Sequence, residues 1–123
     1  MIKITELKNN LQCSPDNIEF QDVIAIIDKY YGFTATEFSN GTEYDLVLNK
    51  AGENNGSCKI FSFARLQNLS EQETLHCFGQ YYRNDVLKHP DSESHANIRT
   101  FMKHGWENIK FTGEALSLRQ AEI

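Results

Sequence analysis

The chain has no apolar run long enough to cross a bilayer: its longest uninterrupted stretch, Val23–Ile27, falls far short of the roughly 20 residues a membrane-spanning helix needs. The opening residues Met1–Glu6 also lack the positively charged region followed by an apolar stretch that marks a secretory signal, so folding in the cytosol is expected. No basic stripe is present. Acidic side chains outnumber Lys and Arg by 17 to 12, giving a formal net charge of -5, and nucleic-acid binding, which needs clustered cations to displace counterions, is not expected. Cys13, Cys58 and Cys77 cannot all pair within one chain and form no C-x-x-C motif, which suits a reducing compartment. Cys13 and Cys77 read as small buried apolar residues. The histidines, His76, His89, His95 and His104, show neither H-x-x-x-H nor Cys-paired spacing, so no metal and no cofactor is expected. With no internal repeat and no low-complexity linker, residues 1–123 read as a single domain.

What the chain does carry is periodic. Ile4, Leu7 and Leu11 recur at three- and four-residue steps and predict a first helix ending before Ser14-Pro15. Asp16-x-x-Glu19 has the form of a capping box for a second helix, with Phe20, Val23, Ile24, Ile27 and Tyr31 on one face and Gly32 as its C-terminal cap. Ser70-x-x-Glu73 does the same for a third, whose core face is Leu75, Phe78, Tyr82 and Val86. A fourth follows the loop Lys88–Glu93, with Ile98, Phe101 and Met102 inward and Gly105 at its end; Trp106, Ile109 and Phe111 form a short apolar closing segment.

Between the second and third helices the period changes to that of strands. Phe33–Phe38 is rich in β-branched and aromatic residues and stops at Asn40-Gly41, a hairpin-turn dipeptide; Tyr44–Leu48 returns, and Cys58–Ala64 follows a second turn-rich stretch. The expected fold is therefore α+β: a short antiparallel three-stranded meander with about four amphipathic helices packed on it.

The stretches Ala51–Phe61, Phe78–Leu87 and Asn97–Trp106, occurring in this order, resemble the HopJ family of type III secretion effectors, and the likeness extends over roughly Phe20 to Phe111. The resemblance implies a protein of Gram-negative bacteria and suggests delivery into a host cell, but brings no reaction or catalytic residue with it. The expected location is the bacterial cytoplasm, with translocation by type III secretion as what the resemblance adds.

Candidate chemistry rests on a few polar groups. Gly52–Lys59 has the glycines, hydroxyl and lysine of a phosphate-cradling loop, yet its spacing is short and a strand is expected to follow, where such a loop needs a helix N-terminus. A hairpin loop in which Asn and Gly supply positive φ is the simpler account. Asn54, Asn55, Ser57 and Lys59 could alternatively present polar groups to a small ligand at the sheet edge, since functional residues often ride on loops held by a rigid scaffold. Cys58 lies beside Lys59, whose charge favours the thiolate, and a cysteine enzyme would pair it with His104 or His95. His104 and Lys103 also suit a helix C-terminus on electrostatic grounds alone. Tyr82, Arg83, His95 and Arg99 complete the candidate binding set, although Arg83 with Asp85, or Arg99 with either, is more readily a structural ion pair than a ligand clamp. The expected function is a binding or interaction module for an unknown protein partner or a small polar ligand, with no nucleic acid and no membrane. The alternative is a small cysteine-dependent transferase or hydrolase using Cys58 with a histidine.

Overall fold

A computed structural model describes residues 3–119. Helix α1 (Ile4–Cys13) buries Leu7 and Leu11 as their spacing requires, and it ends at the residue before Ser14. Cys13, expected inside, is exposed because it falls off that stripe. The next segment departs from a capping box. Pro15 opens a single 3₁₀ turn, Pro15–Asn17, which takes Asp16 into it, while Glu19 occupies the N-cap of α2 (Phe20–Tyr30) without a side-chain bond there.

Helix α2 buries Val23, Ile26 and Ile27, then passes straight into extended backbone at Tyr31. Gly32 is therefore a residue of strand β1 (Tyr31–Phe33) and not a helix cap. Strand β1 pairs antiparallel with β5 (Leu116–Leu118). The strand expected over Phe33–Phe38 is split, Phe33 closing β1 and Phe38 opening β2 (Phe38–Asn40). The chain does reverse after Asn40-Gly41, but through a loop of residues 41–46 and not a tight Asn-Gly turn, because Asn40 is itself paired in the sheet: β2 pairs with β3 (Val47–Asn49) in the register Phe38↔Asn49 and Asn40↔Val47. Gly41 turns the chain with φ of +102°, a left-handed conformation that favours glycine.

The third strand of that sheet comes from an unexpected place. Cys58–Ala64 is not a strand but the middle of α3 (Asn55–Leu66), and the sheet is instead completed by β4 (Ile109–Phe111), antiparallel to β2, giving the order β3-β2-β4. The fold is α+β with a three-stranded antiparallel sheet, though not a consecutive meander. The physical reason is burial. Cys58, Ile60, Phe61, Phe63 and Ala64 are all buried, so α3 has contacts on nearly every side and shows little of the polar face that betrays a helix. Phe61 lies at the centre, its ring 5.4 Å from Phe78, 5.0 Å from Phe101 and 6.2 Å from Trp106.

Helix α4 (Glu71–His76) opens with the expected capping box: the Glu73 N–H donates to Ser70 Oγ at 3.0 Å, and the Ser70 N–H donates to Glu73 Oε1 at 2.9 Å. Leu75, Phe78, Tyr82 and Val86 are all buried, but not on one continuous helix. Gly79 takes φ of +59°, and the chain resumes as a π-helical turn, Tyr81–Val86, in which the Leu87 N–H reaches back to Tyr82 O at 3.0 Å. The break lets this segment cross the start of α2, because a Cβ on Gly79 would lie 2.4 Å from the Phe20 nitrogen. Helix α5 (Ala96–His104) turns Ile98 and Phe101 inward; Met102, expected beside them, is 44% exposed, and buried Asn97 and Thr100 share the inner face instead. Gly105 follows with φ of +63° and leads through a 3₁₀ turn into β4.

Gly79 and Gly52 offer a matched test of this crossing. Both have positive φ, but a Cβ on Gly52 would meet nothing within 4 Å. Gly52→Ala should cost about 1 kcal/mol, the left-handed penalty alone, whereas Gly79→Ala should cost about 3 kcal/mol or more because backbone must also move. Denaturant midpoints of the two variants give the comparison.

Candidate functional site

Two helix starts and an aromatic wall meet in one cleft. Asn54, Gly56 and Ser57 at the start of α3 face His95, Ala96, Asn97 and Ile98 at the start of α5, with Val47 of β3, Phe20 of α2, Phe78 and Tyr81 closing a cavity of about 340 Å³. A helix, not a strand, follows the Asn54 loop, so the helix N-terminus expected to be missing there is present.

Each entry is conformationally unusual. Asn54 and His95, the residues preceding α3 and α5, have φ of 52° and 54°, and neither caps its helix through its side chain. Asn tolerates the left-handed region comparatively well, and such conformations persist only where the surroundings enforce them. At Asn54 the enforcement is visible. Its Nδ2 donates to Asn49 Oδ1 at 2.7 Å, an oxygen that also accepts from Asn97 Nδ2 at 2.8 Å. Asn49 and Asn40 in turn donate to Asn97 Oδ1, at 3.1 and 3.2 Å, so four amides from β2, β3 and the two helix starts form one network under the cleft. At His95, Nε2 lies 3.0 Å from Asp85 Oδ2, while the ring stacks on Tyr81 with centroids 5.3 Å apart and planes 30° apart. Tyr81 meets Phe20 edge-on at 5.1 Å. Gly56 leaves the space that Phe20 needs, since a Cβ there would lie 2.8 Å from its ring.

Of the residues singled out from the sequence, Asn54, Ser57 and His95 converge on this cleft. The others go elsewhere. Asn55 is exposed at the first position of α3. Lys59 pairs with Asp28 at 2.8 Å and lies over the Phe33 ring. Tyr82 is buried and its hydroxyl accepts from Gln72. Arg83 donates to the Ile18 carbonyl and pairs with Glu19 at 3.3 Å. Arg99 donates to the carbonyls of Ser94 and Asp85, so neither arginine binds the Asp85 carboxylate, which His95 holds. Phe20, Tyr81 and Asn97 were not singled out as site residues; Phe20 reads as core stripe, Tyr81 lies off the stripe that takes Tyr82, and only the fold shows that they border a cavity.

No hydrogen bond joins Cys58 to His104. Cys58 is 1% exposed, its Sγ is 3.6 Å from the Thr36 carbonyl, and burial pushes its thiol pKa up, opposite to the shift that activates a nucleophile. His104 Nε2 is 2.7 Å from Asp45 Oδ2. That bond, reinforced by the Thr42 N–H, holds the Asp45 carboxyl at about 2, well below its ordinary value of 3.8.

The family model described as HopJ type III effector protein matches residues 4–116, and the chain belongs to that family. A crystal structure of the unknown-function protein VPA0580 superposes with a TM-score of 0.90 at 45% identity, over 96% of this chain and 95% of that one. No curated protein matches.

Two predictions follow from the placed side chains. Under native conditions an alkylating reagent should label exposed Cys13 readily, whereas Cys58 and Cys77, both buried, should react only on unfolding; His104→Ala should leave the Cys58 rate unchanged. The second concerns acid. A carboxyl whose folded pKa is depressed contributes stability above its unfolded value, and that stability is lost as pH falls toward its folded one. Thermal midpoints should therefore fall as pH drops from 3.8 toward about 2, with Asp45→Asn showing a visibly shallower dependence in that window.

Proposed function

We propose that this protein is a binding module that captures a small polar ligand in the cleft between the starts of α3 and α5. The supporting observation is convergence: Asn54, Ser57 and His95, from segments about forty residues apart in sequence, line one concave site with aromatic walls. A concave, mostly preformed pocket with a few convergent polar groups is the usual form of a ligand site. A larger groove of about 550 Å³ lies beside Leu66, Phe111 and Leu118, but Arg65 within it is committed to the Ile109 carbonyl and to the rings of Trp106 and Phe111. The rest of its lining is largely apolar, with Leu66, Phe111, Ala115, Leu116 and Leu118.

Among the described residues no helix is long and apolar enough to cross a membrane. The family description extends the proposal to a protein made in the bacterial cytoplasm and delivered by type III secretion into a host cell, where the captured ligand or a protein partner would be met.

A library of small polar fragments, titrated against ¹⁵N-labelled full-length protein, tests the reading. Amide shifts should cluster at residues 54–57 and 95–98, and Ser57→Phe, which fills the cleft from an accessible position, should weaken the hits by about ten-fold or more while the remaining spectrum stays native. Shifts clustering at the Leu66 groove, or hits indifferent to Ser57→Phe, would move the site elsewhere.

A further inference from the structure

Resting on the cleft as the binding site, its walls narrow the chemistry of what it takes. We infer that the ligand is a flat ring compound carrying a carboxylate or similar acceptor, its ring laid along the Tyr81–His95 stack and its acceptor turned toward the starts of α3 and α5.

The ring follows from the wall. Phe20, Tyr81 and His95 stand in sequence with centroid separations of 5.1 and 5.3 Å, forming an aromatic surface from the start of α2 to the start of α5, and Phe78, 2% exposed, closes it from the core side. Tyr81 and His95 both keep part of their surface open. Such surfaces favour a planar partner over a saturated one of equal size, because ring quadrupoles interact in addition to the area buried. The cavity's volume of about 340 Å³ is near the lower end of small-molecule sites, which run from about 300 to 1,000 Å³, so one or two rings fit and a polymer does not.

The acceptor follows from what the lining offers. Among the described residues no Asp or Glu lines the cleft, although the protein as a whole is acidic. Every polar group there is a donor or neutral: the Ser57 hydroxyl, amide side chains and the His95 imidazole, whose far nitrogen Asp85 holds. The backbone adds to this. In α3 the first helical bond runs from the Cys58 N–H to Asn54 O, so the N–H groups before it are open, and α5 likewise begins at the cleft with no side-chain cap. An amine or other cation would meet no acidic partner in this site.

The test compares four probes on the full-length protein by amide-shift titration: benzoate, cyclohexanecarboxylate, benzamide and inorganic phosphate. Benzoate should shift residues 54–57, 81 and 95–98 and bind about five-fold more tightly than cyclohexanecarboxylate, the preference expected of one aromatic contact. It should also bind about five-fold more tightly than benzamide, which lacks the charge that helix starts favour. Tyr81→Leu should lower benzoate affinity toward that of cyclohexanecarboxylate and leave the latter unchanged, with Tyr44→Leu, at a fully exposed tyrosine, as the control. Equal binding of the two carboxylates, or phosphate binding at these residues in preference to benzoate, overturns the inference. If benzoate fails while other fragments still occupy the cleft, the ligand class is wrong and the binding site stands; if nothing shifts residues 54–57 and 95–98, both fall together.

Discussion

The arrangement depends on four asparagines hydrogen-bonded to one another beneath the cleft. Asn40 and Asn49 are fully buried and Asn97 nearly so, and each belongs to a different element, β2, β3 and α5, while Asn54 attaches the entry to α3. Amide groups withdrawn from water lose about 1–3 kcal/mol each if a partner is removed, so these elements are coupled more tightly than apolar packing alone would couple them. Apolar contacts tolerate sliding. A network of directional bonds does not, and this one fixes the β2–β3 hairpin against both helix starts, which is why the cleft has a defined shape.

The opposite wall is held by a close backbone crossing. Gly79 admits the start of α2 to within van der Waals range, and the Phe20 N–H donates to Gln80 Oε1 at 3.0 Å across the same junction. The glycine ends the regular helical path after Phe78, and the wider π turn beyond it brings Tyr81 to the cleft while Tyr82 enters the core. Irregular helical turns of this kind are often found where side chains must be aimed rather than simply packed. Local irregularity and site geometry therefore share one cause.

Much of this was legible from the sequence, and what was not has identifiable reasons. Features set by neighbouring residues were readable: the Leu7 and Leu11 stripe, the chain reversal after Asn40-Gly41, the Ser70–Glu73 capping box and Gly105 after α5. Features set by distant residues were not. The segment Cys58–Ala64 looks like a strand because its apolar and aromatic residues leave only the narrow polar face of Lys59 and Ser62, and the β4–β2 pairing that replaces it joins residues about seventy positions apart. At the site, polar groups in a turn-rich segment drew attention to Asn54 and Ser57, but Phe20 carries no signal separating a cleft wall from a core face, and Tyr81 none that aims it at the cleft. Arg83 and Arg99 show the converse. They look functional in one dimension and are used on backbone carbonyls in three.

Ser57 and Cys58 bring these considerations to a single turn of helix. Had the segment been a strand, adjacent side chains would point to opposite faces and either could line an edge site. In a helix they diverge by about 100°, and here that rotation carries Ser57 to the cleft and Cys58 into the core, against the Thr36 carbonyl. The two residues therefore cannot be exchanged in role without rotating α3, which the buried Phe61, Phe63 and Ala64 prevent. The same packing that withholds the thiol from chemistry turns the hydroxyl toward the cleft, and this is the ground for proposing recognition there rather than nucleophilic catalysis.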